Sequence, residues 1–524
     1  LTRDVKEIFI YDTTLRDGSQ GEGISYTLED KLKIVKKLDS FGVDYIEAGN
    51  PGSNPKDLDF FKEVAKCDIK SKLVAFGSTR RVGVKVEEDM GIKSLLFANT
   101  PAVAIFGKSW DLHVTDIIRT TLDENLSMIE DTVKYMKSMG KEVIFDAEHF
   151  FDGYKNNREY AIESLKSAAK AGADFAVLCD TNGGTMPWEI ENIINDVLQN
   201  VNVNIGIHCH NDTGMAVANS VVAAKCGAVQ IQGTINGYGE RCGNANLITI
   251  IGNLEVKLGK KCLDNNSISE LTNVSKTVAE IANMTHEKSY PYVGASAFAH
   301  KGGMHIDGVN KNSISFEHIN PEIVGNERRF LMSEVSGKST ILSSIQKIIP
   351  EIKKDSKEAQ EMVDILKKLE YEGYQFEGAE SSFELLIRKH LGKTKEFFKV
   401  IDFRVIEEAA GIKSAYAMIK LEVDGKEEIT AADGAGPVNA MDKALRKALT
   451  VFYPELKDIR LTDYKVRVLD PDKATGAKVR VHIETSDGEA TWGTVGVSTN
   501  IIEASWKALL DSIDYFLYKE IDRK

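Results

Sequence analysis

Short apolar runs alternate with amphipathic stretches from residue 8 to about 260. The runs are IFIYD (8–12), DYIEA (44–48), KLVAF (72–76), SLLFA (94–98), EVIFDAE (142–148), DFAVLCD (174–180), VNIGIHCH (203–210) and AVQIQG (228–233). Each predicts a buried strand, and helical periodicity fills most of the gaps. In the first gap Thr27 and Asp30 suit an acidic variant of a capping box. Leu28, Leu32, Val35 and Leu38 then share one face, and Gly42 stops the helix. Eight strands alternating with helices over roughly 250 residues predict an α/β fold, a (β/α)8 TIM barrel. A doubly wound open sheet has the same periodicity. The polar residues favour the barrel, because the runs end in reactive side chains. Asp12 to Asp17 follow the first run, Glu47 closes the second, and Asp146 and Glu148 close the fifth. Asp180, Thr181 and Asn182 follow the sixth, His208 and His210 end the seventh, and Asn236 to Asn244 follow the eighth. A barrel gathers those ends into one ring, whereas an open sheet spreads them along an edge.

Beyond the barrel, residues 261–285 predict helix. Residues 290–330, rich in Gly, His, Pro and Asn, predict loops over the barrel mouth, and 340–392 predict helices. From about 396 a weak repeat begins. AYAMIKLEVDG (415–425), Asn439 and Ala444-Leu445 recur as AKVRVHIETSDG (477–488), Asn500 and Ala508-Leu509. Each unit predicts strands followed by an amphipathic helix, an α+β module that stacks on itself or on a partner. The predicted division is 1–275 barrel, 276–395 mostly helical linker subdomains covering the active site, and 396–524 C-terminal module.

Composition narrows the function classes. A chain of 524 residues with a formal charge of −13 carries no nucleic-acid footprint. An anionic substrate then requires a local cation or a metal. The six cysteines (67, 179, 209, 226, 242, 262) have no C-x-x-C spacing and predict reduced thiols of a cytoplasmic protein. The opening LTRDVKEIFIYD has no signal-peptide core, and no run reaches membrane-spanning length.

The densest chemistry is His208-Cys209-His210. On a strand the two imidazoles face one way and Cys209 the other, about 7 Å apart along the chain. The pair suits one divalent ion, and it equally suits two hydrogen-bonded histidines. DTTLRDGSQ (12–20) sets an acid, a cation and a second acid at a strand tip. NGYGERCGN (236–244) is a glycine-rich loop offering Glu240 as an acid/base group and Asn244 as an oxygen ligand. Together Asp17, His208, His210 and Asn244 make a mixed N/O set that suits Mg²⁺, Mn²⁺, Zn²⁺ or Co²⁺ with open positions. Gly337-Lys338-Ser339-Thr340 has Met332 where a P-loop needs its first glycine, and predicts a helix start.

DTTLRDGSQ, HCHNDTGMA and NGYGERCGNANL, in this order, resemble the signatures of the α-isopropylmalate, homocitrate and citramalate synthase family, and the likeness runs nearly end to end. PGSNPKD (51–57), FGSTRR (76–81) and HFFDGYKNN (149–157) look most like its long-chain citramalate branch. The resemblance implies a metal-dependent acyltransferase performing a Claisen condensation of acetyl-CoA with an α-keto acid. For the branch the keto acid is pyruvate and the products are (R)-citramalate and CoA, on a route to isoleucine. It implies Asp17, His208, His210 and Asn244 as metal ligands and Arg16 beside the substrate carbonyl. It implies Thr181 on the substrate carboxylate, with Asp146, Glu148 and His113 around the side-chain pocket. His305, in AFAHKGGMHIDGVNK, matches the family's loop histidine as the base, with Glu240 as its partner and His300 as a second candidate. Residues 396–524 resemble the family's allosteric dimerisation domain, implying a homodimer and feedback by an amino acid, isoleucine on this route. Two positions depart from the pattern. Phe316 stands where relatives often carry tyrosine, so the hydroxyl is either dispensable here or supplied by Tyr290 or Tyr292, and Asn50 replaces a bulky aromatic. Three alternatives remain: a larger 2-oxo acid, as in isopropylmalate or homocitrate synthase; a metal-dependent lyase or aldolase; and an inactive amino-acid-sensing scaffold.

Overall fold

The computed structural model describes residues 7–52, 55–263, 267–331, 338–353, 356–407, 415–488 and 490–522. It divides into two compact units, one of residues 1–298 with 318–328 and one of residues 299–317 with 329–524.

The first unit is a closed barrel of eight parallel strands in sequential order. They are β1 (Phe9–Asp12), β2 (Tyr45–Gly49), β3 (Lys72–Ser78), β4 (Ala102–Lys108), β5 (Glu142–Glu148), β6 (Phe175–Asp180), β7 (Asn204–Cys209) and β8 (Gln230–Gly233). Strand β8 returns to β1 in register from Phe9↔Gln230 to Asp12↔Gly233. Side chains alternate as the pleat requires. Tyr11, Tyr45, Val74, Ile144, Phe175 and Val177 pack together in one core cluster. Their neighbours Ile10, Ile46, Ala75, Phe145 and Ala176 belong to the larger core that includes the helices. The first helix, Leu28–Phe41, carries the predicted box. The Asp30 amide donates to Thr27 Oγ1 at 3.2 Å, the Thr27 amide donates to Asp30 Oδ2 at 2.9 Å, and Gly42 closes the helix at φ 92°.

One predicted strand is a helix. SLLFA lies mostly within the helix Met90–Phe97, and the fourth strand is AVAIFGK, 102–108. A five-residue apolar run fits either period, and tertiary context decides. Here Asp89 caps the helix by accepting from the Gly91 and Ile92 amides at 2.8 and 3.3 Å. The pre-proline Thr100 and Pro101 then break the helix before β4.

The second unit holds a further departure. Within the segment read as loops, residues 303–311 form a helix, Gly303–Lys311, and β9 (Ala299–His300) pairs with β10 (Arg329–Phe330). Helices Lys338–Ile348, Lys357–Glu372 and Glu380–His390 follow. Lys338 opens the first of these, while Met332 and Gly337 lie outside the described residues. Two three-stranded antiparallel sheets come next. The first is β11 (Lys399–Glu407), β12 (Ala415–Val423) and β13 (Lys426–Gly434), followed by the helix Pro437–Leu449. The second is β14 (Arg460–Val468), β15 (Val479–Ser486) and β16 (Thr491–Ser498), followed by the helix Ile501–Leu517. Ala444-Leu445 and Ala508-Leu509 occupy the same place in their helices, so that part of the repeat is structural. The asparagines are not equivalent. Asn500 caps its helix, accepting from the Ile502 amide at 2.8 Å, whereas Asn439 lies inside its helix and accepts from the Ala435 amide at 3.2 Å.

Candidate active site

The ends of β1 and β7 bring three ligand atoms together. His208 points into the barrel, while Cys209 packs with Ile205 and Ile207 in the outer core. His208 Nε2 lies 3.3 Å from Asp17 Oδ2, and His210 Nε2 lies 3.8 Å from it. All three side chains are buried. Asp17 reaches them because the loop after β1 folds back, its Gly18 amide donating to Thr13 O at 3.0 Å. Asn244 pairs with His210 through an isolated antiparallel bridge, and it lines a second cavity with Gly239, Arg241 and Gly243 rather than the one that holds Asp17, His208 and His210. That bridge depends on glycine. At Gly243, φ is +86° and a Cβ would stand 2.1 Å from Gly237 O.

Buried polar atoms without partners mark what this cluster suits. Asn244 donates to Tyr238 O at 3.2 Å, and among the described residues its Oδ1 has no hydrogen-bond partner. Two imidazole nitrogens, a carboxylate oxygen and an amide oxygen fit a divalent ion with open positions. Charge agrees. Burial would raise the Asp17 carboxyl, but the Arg16 cation and then His208 hold it well below the usual carboxylate range. Burial, reinforced by His208, lowers His210 to about 4, so its imidazole is neutral at pH 7. Burial alone would depress His208, and its contact with Asp17 outweighs that and raises it.

Arg16 is held on three sides. Its Nε donates to Glu47 Oε1 at 2.5 Å, Nη1 lies 3.3 Å from Asp17 Oδ2, and the guanidinium sits 3.8 Å over the Phe76 ring. Glu47 is fully buried and also accepts from Tyr11 Oη at 2.5 Å and Thr13 Oγ1 at 2.6 Å. Burial would lower the Arg16 pKa, but Glu47 and Asp17 override it and raise it further. Arg16 is therefore a fixed cation aimed by a carboxylate. The sequence showed Glu47 at a strand end but not this role, which depends on the register Tyr11↔Tyr45 between β1 and β2.

A cavity of about 230 Å³ gathers Arg16, Asp17, His208, His210, Asp146, Glu148, Thr181 and Glu240. Phe76 and Phe106, stacked at 5.2 Å, form an apolar part of its lining. Thr181 Oγ1 accepts from the His149 amide at 2.9 Å, which leaves its own proton to donate. Glu148 is ion-paired with Lys108, a residue the sequence reading passed over. Burial, with the negative charge of Glu47, pushes Asp146 up to about 7. Glu240 is exposed, 3.7 Å from Arg241. His113 is not among the lining residues. Its ring stacks on Trp110 at 5.1 Å and meets His149 at 4.3 Å. Asn50 also lies outside the lining and turns its chain, Oδ1 accepting from the Gly52 amide at 3.1 Å.

Comparison with known proteins places this chain in a lineage. Residues 7–278 match the HMGL-like family, 292–373 match the homocitrate synthase post-HMGL domain-like family, and 377–517 match the LeuA allosteric (dimerisation) domain. The (R)-citramalate synthase of Aquifex aeolicus is 54% identical over 98% of each chain. That of Geobacter sulfurreducens is 51% identical over 97% of each chain. The chain belongs to the (R)-citramalate synthase family. A 2-isopropylmalate synthase of Methanocaldococcus jannaschii is more distant, 31% identical over 98% of this chain and 95% of that one.

The other candidates are spread over both units of this (R)-citramalate synthase family member. His305 belongs to the second unit, exposed on the helix Gly303–Lys311, with its ring stacked on Phe316 at 4.3 Å. The aromatic that departs from the family pattern is thus the ring that supports His305. His300 is buried, its Nε2 3.0 Å from Glu317 Oε1. Tyr292, in the first unit, donates to Asn253 Oδ1 at 2.8 Å, and Tyr290 meets His286 edge-on at 5.4 Å.

Proposed function

We propose that this chain condenses acetyl-CoA with pyruvate and hydrolyses the product thioester, giving (R)-citramalate and CoA. The observation that carries the reading is the fixed Arg16 cation beside Asp17, His208 and His210 in one cavity of an (R)-citramalate synthase family member. A divalent ion held by Asp17, His208, His210 and Asn244 would supply Lewis-acid polarisation of the oxo-acid carbonyl. The protein's own groups do the rest. The Thr181 hydroxyl donates to the pyruvate carboxylate. Arg16 stabilises negative charge as it grows on the carbonyl oxygen, a contact stronger in the transition state than in the ground state. Asp146 and Glu148 bound the side-chain end of the pocket, with His113 behind them as the least direct candidate. A thioester methyl is a weak acid, so its proton needs a positioned base. His305 is the proposed base and Glu240 is proposed to share the proton transfer, both on the family motif. The carbanion adds to the carbonyl carbon. Water then attacks the thioester carbonyl, and the CoA thiol leaves.

The test is a thiol-release assay with pyruvate, 2-oxoisovalerate and 2-oxoglutarate. Pyruvate is expected to have the highest kcat/KM. Preference for either larger acid contradicts the substrate assignment, and turnover without acetyl-CoA-dependent thiol release indicates a lyase.

Three parts are proposed for the chain: a catalytic barrel over 1–275, linker subdomains over 276–395, and an allosteric domain over 396–524 that pairs two copies and takes isoleucine. Among the described residues no helix is long and apolar enough to cross a membrane, and a cytoplasmic location is proposed on the biosynthetic role. Deleting 396–524 is expected to abolish inhibition by isoleucine while thiol release persists. A titration of pyruvate turnover against isoleucine checks this, and unchanged inhibition in the truncated chain refutes it.

A further inference from the structure

Strand β8 carries two fully buried glutamines, Gln230 and Gln232. A buried amide is costly unless both of its ends find partners. Gln232 finds them. Its Oε1 lies 3.1 Å from His208 Nδ1. Its Nε2 lies 3.3 Å from Asp146 Oδ1 and 3.2 Å from Gln230 Oε1. In this orientation the amide oxygen faces the ring and the amide nitrogen has two acceptors, so both ends are satisfied. With Oε1 facing the ring, Nδ1 of His208 must carry the proton. That leaves Nε2, which faces Asp17 Oδ2, as the nitrogen that would bind the ion once its own proton is displaced.

We propose that Gln232 is a positioning residue for the metal site: it holds His208 in the Nδ1–H form so that Nε2 is the ligand atom, and Asp146 holds Gln232. This rests on the reading of Asp17, His208 and His210 as metal ligands. Partners of this kind orient the ring and strengthen the donor nitrogen, and losing one typically weakens metal affinity about 10–100-fold. Among the described residues His210 has no such partner, since its Nδ1 is buried without a hydrogen bond. The two imidazoles are therefore unequal, with His208 preset by side chains and His210 set by backbone pairing to Asn244.

The test titrates Co²⁺ into the metal-stripped full chain and follows visible absorption, which needs no turnover. Gln232→Leu fills the space without an acceptor and is expected to bind Co²⁺ about 10–100-fold more weakly. Gln232→Glu restores an acceptor for Nδ1–H and is expected to bind at least as tightly as the wild type. Wild-type affinity in Q232L overturns the proposal. So does a Q232E protein as weak as Q232L, because bulk rather than hydrogen bonding would then be the cause. If Q232L does not fold by circular dichroism, Gln232→Met takes its place with the same expectations. Failure of the wild type to bind Co²⁺ overturns the metal reading and this proposal together. The expected affinity pattern with a different preferred oxo acid supports the proposal and removes only the pyruvate assignment.

Discussion

Exchanging His208 and His210 together for alanine is expected to silence thiol release and to empty the protein of bound divalent metal. The two imidazoles supply both nitrogen ligands of the proposed set, and each is buried beside Asp17. The double exchange removes two of the four proposed ligands, and with them the Lewis-acid polarisation the ion would supply. Among the described residues it also leaves the Asp17 carboxylate with Arg16 as its one ion-pair partner, 3.3 Å away. Metal content by elemental analysis and a thiol-release assay on the folded variant check the outcome. Wild-type turnover by this variant in the presence of a chelator would remove the metal from the account.

The second large effect is expected at Arg16. Arg16→Lys keeps a positive charge, yet kcat is expected to fall by about 10²–10³. The reason is geometric. The guanidinium meets Glu47 through Nε, meets Asp17 through Nη1 and sits 3.8 Å over the Phe76 ring at the same time. A lysine ammonium is a point charge on a flexible stem and cannot make all three contacts. Its loss should appear mainly in kcat, with a smaller change in KM for pyruvate, because the contact strengthens as charge grows on the carbonyl oxygen. Steady-state kinetics over a range of pyruvate concentrations separate the two. A variant that loses only KM would make Arg16 a ground-state binder.

The comparison of sequence with structure divides along local and non-local lines. The parity of β7, which turns His208 inward and Cys209 outward, is a two-residue period and was legible. So was the barrel, because reactive residues close most of its strands. Asp17 was legible as one member of a strand-tip cluster. The fourth strand was misplaced because SLLFA is too short for period alone to decide, and the Asp89 cap outweighed its apolar run. Glu47 looked like any polar strand end. Its triple role appears only when β1 and β2 pair and bring Tyr11, Thr13 and Arg16 to one carboxylate. Gln232 was hidden for the same reason, since its partners Asp146 and His208 come from β5 and β7. The resemblance implies His113 at the substrate pocket, and its ring stacks on Trp110 and meets His149. The repeat in the second unit was legible where helix packing repeats, at Ala444-Leu445 and Ala508-Leu509. It failed at Asn439 and Asn500, where one residue caps a helix and the other lies within one.

If this barrel joins an acetyl thioester to pyruvate with the help of a divalent ion, as proposed, product analysis of the wild-type protein is decisive. Purified protein incubated with acetyl-CoA and pyruvate should yield (R)-citramalate and free CoA in equal amounts. A chelator should stop the reaction, and added divalent metal should restore it. Undiminished product after metal removal, or CoA release with no citramalate, would contradict the account.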